Sequence, residues 1–294
     1  MRFRNVHFII NPVSGKEEPI LSWISKVFCD TRIRWDVSVT RKDLTAGDIA
    51  KDLIGKTDLV IVYGGDGSVT ETAAALQGTG TPMAIVPGGT ANVMAKELGI
   101  PQDSVEALEL LIGKSHTLKG VDMGSVNGKP FLLRVNLGIM ADMVLEADRK
   151  LKDRLGQLAY GITAVKSIAG AEAIGYELEI DGKICREEGV SLTVTNSGNV
   201  GIGDYDLQPG ISITDGLLDI ILLKNAGLGS ILKAAGSALL QQPTDAVKHW
   251  KCRQVIISLQ KKQRFICDDR EESGKKIDIR VVPAAVKILV PKSE

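Results

Sequence analysis

Residues 59–71 read Leu59-Val60-Ile61-Val62-Tyr63-Gly64-Gly65-Asp66-Gly67-Ser68-Val69-Thr70-Glu71. An unbroken apolar run suits a strand buried on both faces, as in a parallel sheet. Three glycines and one aspartate then turn the chain, and the residues from Ser68 on have helical composition. A glycine turn between a buried strand and a helix exposes unpaired amides at the positive end of the helix dipole, an arrangement suited to phosphate. The same turn also serves as a plain strand-to-helix connection, so one copy alone decides little.

The flanks repeat the pattern. "VHFII" (Val6 to Ile10) ends at "NPVSGK" (Asn11 to Lys16), and a helix is expected from Glu17 to Cys29, with Ile20, Leu21, Ile24, Val27 and Phe28 at helical spacing. "IRWDVSVT" reads as a strand, and Thr45 with Asp48 forms a capping box for the helix that follows. "PMAIV" is another strand, "PGGT" (Pro87 to Thr90) another turn, and "ANVMAKELGI" another helix that stops before Pro101. Strands alternating with helices predict a doubly wound parallel sheet, with ligands at the carboxyl ends of its strands. "NPVSGK", "GGDGS" and "PGGT" are all loops of that class.

The pattern changes after about residue 120. "VDMGSVNGKPFLLRVNLGI" predicts two strands about Asn127-Gly128, and residues 143–171 form a helical stretch. "YELEIDGKIC" (turn at Asp181-Gly182), "GVSLTVTNS", "ISITDGLLDIILLK", "QVIISL", "RFICDD", "KIDIRVV" and "AVKILV" are β-rich. The expected fold is α/β: an N-terminal doubly wound parallel-sheet domain over residues 1–122, followed by a mainly antiparallel β domain over 123–294. The boundary between Gly120 and Gly124 is soft, and the last residues are expected to pack back on the first domain.

Bulk composition excludes several classes. Lys plus Arg and Asp plus Glu both number 36, which leaves no one-sided basic field for nucleic acid. The aromatic share is only 4%, too low for stacking platforms on single strands. The four cysteines are far apart and there are three histidines, so a zinc cluster is not expected and free thiols in a reducing cytoplasm are. No apolar run approaches the ~20 residues that span a bilayer.

Known phosphate loops do not match. Gly15-Lys16 is followed by Glu17, and Ile10 stands where a P-loop needs its first glycine. "GNVGIG" (Gly198 to Gly203) has no strand–turn–helix setting and reads as a loop. Asp66 would repel phosphate unless Mg²⁺ lies between them; equally, it can cap the helix after it.

"NPVSGK", "GGDGSVTE" and "PGGTAN", in that order and spacing, resemble the diacylglycerol kinase catalytic-domain family, in particular its soluble bacterial lipid kinases and their sphingosine kinase relatives. "LGQLAYGI" (155–162), "TDGLLDIILLK" (214–224) and "RVVPAAVKILVP" (280–291) extend the resemblance over nearly the whole chain. It implies a fold like that of NAD kinases and diacylglycerol kinases, with ATP bound between two domains. The implied nucleotide residues are Asn11, Thr40, Gly64, Gly65, Asp66, Gly67, Ser68, Val69, Thr70, Gly89 and Thr90. Ser68 stands where the family usually has threonine, and Thr70 where it commonly has asparagine.

A second Mg²⁺ in the β-rich half is implied at Asp215, the Leu217 carbonyl and the backbone near Ser212, where a hairpin with a turn aspartate is the plainer reading. The family's "DGE" acid motif falls on Asp269-Arg270-Glu271, with glycine replaced by arginine and the register open by one because Asp268 and Glu272 adjoin it. Without the family, "CDDREESGKK" is a solvated charged hairpin.

The resemblance thus implies an ATP- and Mg²⁺-dependent lipid kinase of the cytoplasm, peripheral at a membrane from whose surface it takes a diacylglycerol-like lipid. Asp66 is on the metal side, and Glu271 or Asp269 is the general base. Lys16 either offsets phosphate charge or is an ordinary surface lysine. Arg149, Lys150, Lys152 and Arg154 on the 143–171 stretch either meet anionic lipid or face solvent. A homodimer is compatible with the sequence. The alternatives are a small-molecule kinase of the NAD-kinase type, and a nucleotide- or lipid-binding regulator weakened by Arg270.

Overall fold

In the computed structural model, which describes residues 3–113, 115–142, 172–199, 207–224 and 247–292, one continuous sheet runs through both halves of the chain. The first half supplies β1 (Asn5–Ile10), β2 (Arg34–Val39), β3 (Leu59–Gly64) and β4 (Met83–Pro87), all parallel, in the order β4-β3-β1-β2. Every residue of β3 and β4 is buried, which the continuous apolar runs required. The helices between them are α1 (Ile20–Phe28), α2 (Ala46–Leu53), α3 (Asp66–Leu76) and α4 (Val93–Glu97), and α5 (Ser104–Ile112) follows.

Local chemistry sets the helix ends. Thr45 and Asp48 form the expected capping box of α2. The first helix begins at Ile20 rather than Glu17, because Pro19 occupies its N-cap. Glu18, left outside it, turns its carboxylate to the hydroxyls of Tyr63 and Ser104. The helix read in "ANVMAKELGI" is a short one, starting after Asn92, which is left-handed at φ 49°.

The second half is antiparallel, as its hairpin signals predicted. β5 (His116–Val126) and β6 (Lys129–Phe131) flank Asn127-Gly128, both at positive φ. β7 (Arg134–Gly138), β8 (Ile174–Ile180), β9 (Lys183–Gly189), β10 (Ser191–Thr195), β11 (Leu218–Leu223), β12 (Val247–Cys252), β13 (Gln254–Cys267) and β14 (Arg270–Pro291) complete it. In "ISITDGLLDIILLK" only the second part is strand; residues 211–217 form turns. The helical stretch expected over 143–171 lies outside the described residues, as does most of "GNVGIG".

β14 joins the halves. It pairs with β13 and then β5 in antiparallel fashion, and Ile288 meets Met83 of β4 in parallel. Two apolar cores result. One lies under the parallel strands and includes Val286, Ile288, Leu289 and Val290 from the chain's end. The other fills the antiparallel half around Phe131, Tyr176 and Phe265. All four cysteines are free, Cys252 and Cys267 being buried. Among the described residues no helix is long and apolar enough to cross a membrane.

Candidate functional site

The order β4-β3-β1-β2 reverses between β1 and β3, so the loops after these two strands open a crevice at their carboxyl ends. Those loops are "NPVSGK" and "GGDGS", and they are bonded to each other. The Asn11 side-chain amide donates to Ser68 Oγ at 2.9 Å, and the Gly65 amide donates to Ser14 Oγ at 3.2 Å. "PGGT" joins from β4: the Gly88 amide donates to the Gly64 carbonyl at 3.0 Å. A Cβ on Gly89 would stand 2.5 Å from Gly65 Cα, and one on Gly15 would stand 3.3 Å from Thr90 Oγ1. The three turns thus touch, and Gly89 keeps two backbones at a separation that any side chain would widen. Thr40 directly follows β2 on the same edge, its amide bonded to the Ile10 carbonyl.

Gly65 is the N-cap of α3, and no side chain caps that helix. Asp66 does not cap the helix after it, the simpler of its two expected roles. Its Oδ1 instead accepts from the Met94 amide at 3.4 Å, at the start of α4. Burial holds the Asp66 carboxyl above the usual carboxylate range; the amides of Met94 and Val93 oppose this, and the charge of Asp268 adds to it.

Lys16 does not extend into the crevice. Its ammonium donates to the carbonyls of Pro87 at 3.2 Å and Gln102 at 2.9 Å, and lies 3.8 Å from Glu18. It ties the first loop to the start of the "PGGT" loop from behind.

The acids of the β-rich half reach this crevice through the hairpin between β13 and β14. Cys267 pairs with Arg270, so Asp268 and Asp269 are its two turn residues, Asp268 at φ 53°. Asp268 is a structural acid. It accepts from the amides of Leu132 (2.8 Å), Leu133 (3.0 Å) and Arg134 (2.9 Å), and from the Thr70 hydroxyl at 3.3 Å. Burial still raises its carboxyl above the ordinary range. Asp269 is exposed, and its Oδ2 would lie 3.0 Å from a Cβ on Gly67, over the first turn of α3. Glu271 lies in β14 opposite Ile266, with its carboxylate 3.6 Å from the Arg264 guanidinium. The Arg270 guanidinium donates to the Pro130 carbonyl at 2.7 Å and is anchored there.

Several contributors were not singled out from sequence. Arg134 donates to the Asn199 carbonyl and shares the fields of Asp268, Asp66 and Glu97; burial lowers its affinity for a proton. Glu97 of α4 accepts from the Ser197 hydroxyl and the Asn199 amide, both at 2.8 Å. Asp122 accepts from the amides of Gly216 and Ala284, each at 2.7 Å. None sits in a local motif; each bonds a partner between 65 and 162 positions away, and only Asp268 adjoined a recognised pattern.

The residues expected at a second Mg²⁺ are otherwise engaged. Ser212 Oγ is bonded to Thr214, Asp215 Oδ1 accepts from the Leu217 amide, and Asp215 Oδ2 accepts from Lys251 Nζ at 2.7 Å. Among the described residues, no group of three or more His, Cys, Asp or Glu side chains is arranged to hold a metal ion.

Solved structures share this architecture. A putative diacylglycerol kinase from Bacillus anthracis str. Sterne superposes with a TM-score of 0.83 at 25% identity, covering 99% of this chain and 98% of that one. Fold and crevice therefore define a class: kinases with a parallel α/β half, an antiparallel β half and glycine loops at the α/β half's carboxyl edge. Residues 5–126 match the family described as "Diacylglycerol kinase catalytic domain", and residues 134–290 match "YegS C-terminal NAD kinase beta sandwich-like domain". A diacylglycerol kinase of Bacillus subtilis (strain 168) is 31% identical over 80% of this chain and 79% of its own length. An uncharacterised protein of Synechocystis sp. is 30% identical over 97% of this chain and 70% of its own. The chain belongs to the diacylglycerol kinase catalytic-domain family, and it is a lipid-kinase-like enzyme.

Proposed function

We propose that the chain is an ATP- and Mg²⁺-dependent kinase that moves the γ-phosphoryl group to the hydroxyl of a diacylglycerol-like lipid. The observation that carries this reading is Asp269 at the first turn of α3, an exposed acid beside amides suited to phosphate. The crevice formed by Asn11, Thr40, Gly64 to Thr70, Gly89 and Thr90 would take the nucleotide, its phosphates toward the amides of Gly67 and Ser68 at the start of α3.

Asp66 fits a nucleotide-borne Mg²⁺: it is a half-buried carboxylate at the start of α3, held by the Met94 and Val93 amides, the Met94 bond being long at 3.4 Å. A bound Mg²⁺ supplies neutralisation of phosphate charge. The chain's own residues do the rest. The lipid oxygen attacks the γ-phosphorus as the bond to the β-phosphate oxygen breaks; the hydroxyl proton passes to Asp269, and ADP leaves. Asp269 is preferred to Glu271 as base because Glu271 is paired with Arg264, away from Gly67. Arg134 and Asp268 position the hairpin that carries Asp269. Arg270 is tied down by its bond to the Pro130 carbonyl, which speaks against a regulator weakened by that residue.

Such an enzyme would work at a cytoplasmic membrane face as a peripheral protein. The test is transfer of label from [γ-³²P]ATP to vesicles containing diacylglycerol, a sphingoid base or phosphatidylglycerol, with NAD as a soluble control. Labelled lipid that requires Mg²⁺ supports the reading; labelled NAD, or no labelled lipid with any acceptor, overturns it.

A further inference from the structure

The loop of residues 210–217 lies between β11, β12 and the returning strand β14. It is held at two points. At one, Asp122 accepts from the Gly216 amide, and the Asp122 amide donates to the Ile213 carbonyl at 2.8 Å. At the other sits a positive charge. Lys251 Nζ donates to Asp215 Oδ2 at 2.7 Å and to the Gly210 carbonyl at 2.9 Å, and lies 3.9 Å from Asp219 Oδ1. Strand pairing delivers it: Lys251 on β12 stands opposite Asp219 on β11. Asp219 is already bonded to His249 Nε2.

This is the place where the family resemblance implied a second Mg²⁺, and the donor set does not suit one. Mg²⁺ demands about six oxygen ligands near ideal octahedral geometry and normally keeps several waters. Here the Asp215 carboxylate already spends one oxygen on an ammonium and the other on the Leu217 amide, and Ser212 Oγ is turned to Thr214. A divalent ion would have to displace Lys251 or sit beside its charge.

We propose that Lys251 is a built-in cation: its ammonium bridges the Asp215 carboxylate and the Gly210 carbonyl in place of a divalent ion, so this half of the protein is ordered without metal. An ion carried on a strand is present at every metal concentration. The loop's order is then independent of free Mg²⁺, and any Mg²⁺ requirement belongs to the nucleotide crevice alone.

The test uses the full-length, chelator-treated protein without nucleotide, so its failure is separable from failure of the kinase reading. Mn²⁺ is titrated to about millimolar concentration, the upper range for weak carboxylate sites, and bound ion is read by electron paramagnetic resonance. Wild type and Asp215→Asn should bind alike, and wild-type melting should shift by less than about 1 °C across the Mg²⁺ series. Lys251→Met frees the carboxylate: it should melt several degrees lower without metal, bind Mn²⁺, and recover with Mg²⁺. Wild-type Mn²⁺ binding that Asp215→Asn abolishes overturns the proposal, as does a folded Lys251→Met that takes up no Mn²⁺. Should Lys251→Met fail to fold, the comparison of wild type with Asp215→Asn decides.

Discussion

The Thr70 hydroxyl donates to Asp268 Oδ2 at 3.3 Å, bonding a helix of the parallel half to a hairpin turn 198 positions away. That bond sets the distance between the glycine loop and the acids facing it. The same Asp268 carboxylate gathers three successive amides, from Leu132 to Arg134, at the crossing between the two halves. A change at Asp268 therefore acts on stability and on the crevice together. Asp268→Ala leaves those amides without their acceptor and should cost about 3 kcal/mol or more of unfolding free energy. Thr70→Val removes one bond, costs about 1 kcal/mol, and should lower kcat more than it raises the KM for ATP. Urea denaturation and steady-state kinetics on both variants check this.

The two acids of the hairpin should separate in kinetics. Asp269→Asn is expected to lower kcat by about 100- to 10,000-fold, the usual span for loss of a general base, with little change in nucleotide affinity. Glu271→Gln, which breaks only the partly exposed contact with Arg264, should lower it less than about 10-fold. A larger loss with Glu271→Gln than with Asp269→Asn would transfer the role to Glu271.

Gly89→Ala tests the contact between turns. Its Cβ would lie 2.5 Å from Gly65 Cα, with backbone on both sides, so the loops must part. The expected cost is about 1–3 kcal/mol in stability, with Mg·ATP affinity falling at least about 10-fold. Isothermal titration calorimetry measures the second quantity; unchanged affinity would mean that the nucleotide does not rest on this contact.

Lys16→Met distinguishes a structural lysine from a phosphate-binding one. Losing the bonds to Pro87 and Gln102 should destabilise the protein by about 1–3 kcal/mol. Because its contacts are two neutral carbonyls and the Glu18 carboxylate, and none is phosphate, the ratio of wild-type to variant ATP affinity should be nearly flat with salt. A lysine on phosphate would give a ratio that shrinks as salt rises.

Asp58 supplies a pH prediction. Its carboxylate accepts from the Asn5 and Arg4 amides, at 2.9 and 2.8 Å, and these bonds, Asn5 first, hold it below the usual carboxylate range. A depressed folded-state value means stabilisation that is present above the unfolded carboxylate value near 4 and is lost as pH falls through the lower folded value. The melting-temperature gap between wild type and Asp58→Asn should thus be widest near neutrality and close in acid. A gap that is constant with pH would show that the carboxylate's charge is not what matters.

Much of the fold was legible because its signals are local. The apolar runs 59–63 and 83–86 suit buried strands, Thr45 with Asp48 marks the start of α2, and Asn127-Gly128 marks a hairpin. The glycine turns were readable for the same reason. The first helix was read three residues too early because apolar spacing does not register the effect of Pro19 on its own N-cap. For Lys16 and Asp66, the sequence offered a charge and a place but no direction, since a long or turn-borne side chain can satisfy itself on either side of a loop.

Sequence alone determined the alternation of strand and helix, the change to antiparallel pairing, and the glycine turns suited to phosphate, because each follows from composition and short-range sterics. Tertiary structure decided which acid faces the crevice, that Asp268 staples the two halves, and that Lys251 sits on Asp215. These depend on where β14 and the β13–β14 hairpin return after the chain has folded through both halves, and no window of neighbouring residues encodes an approach between positions 67 and 269.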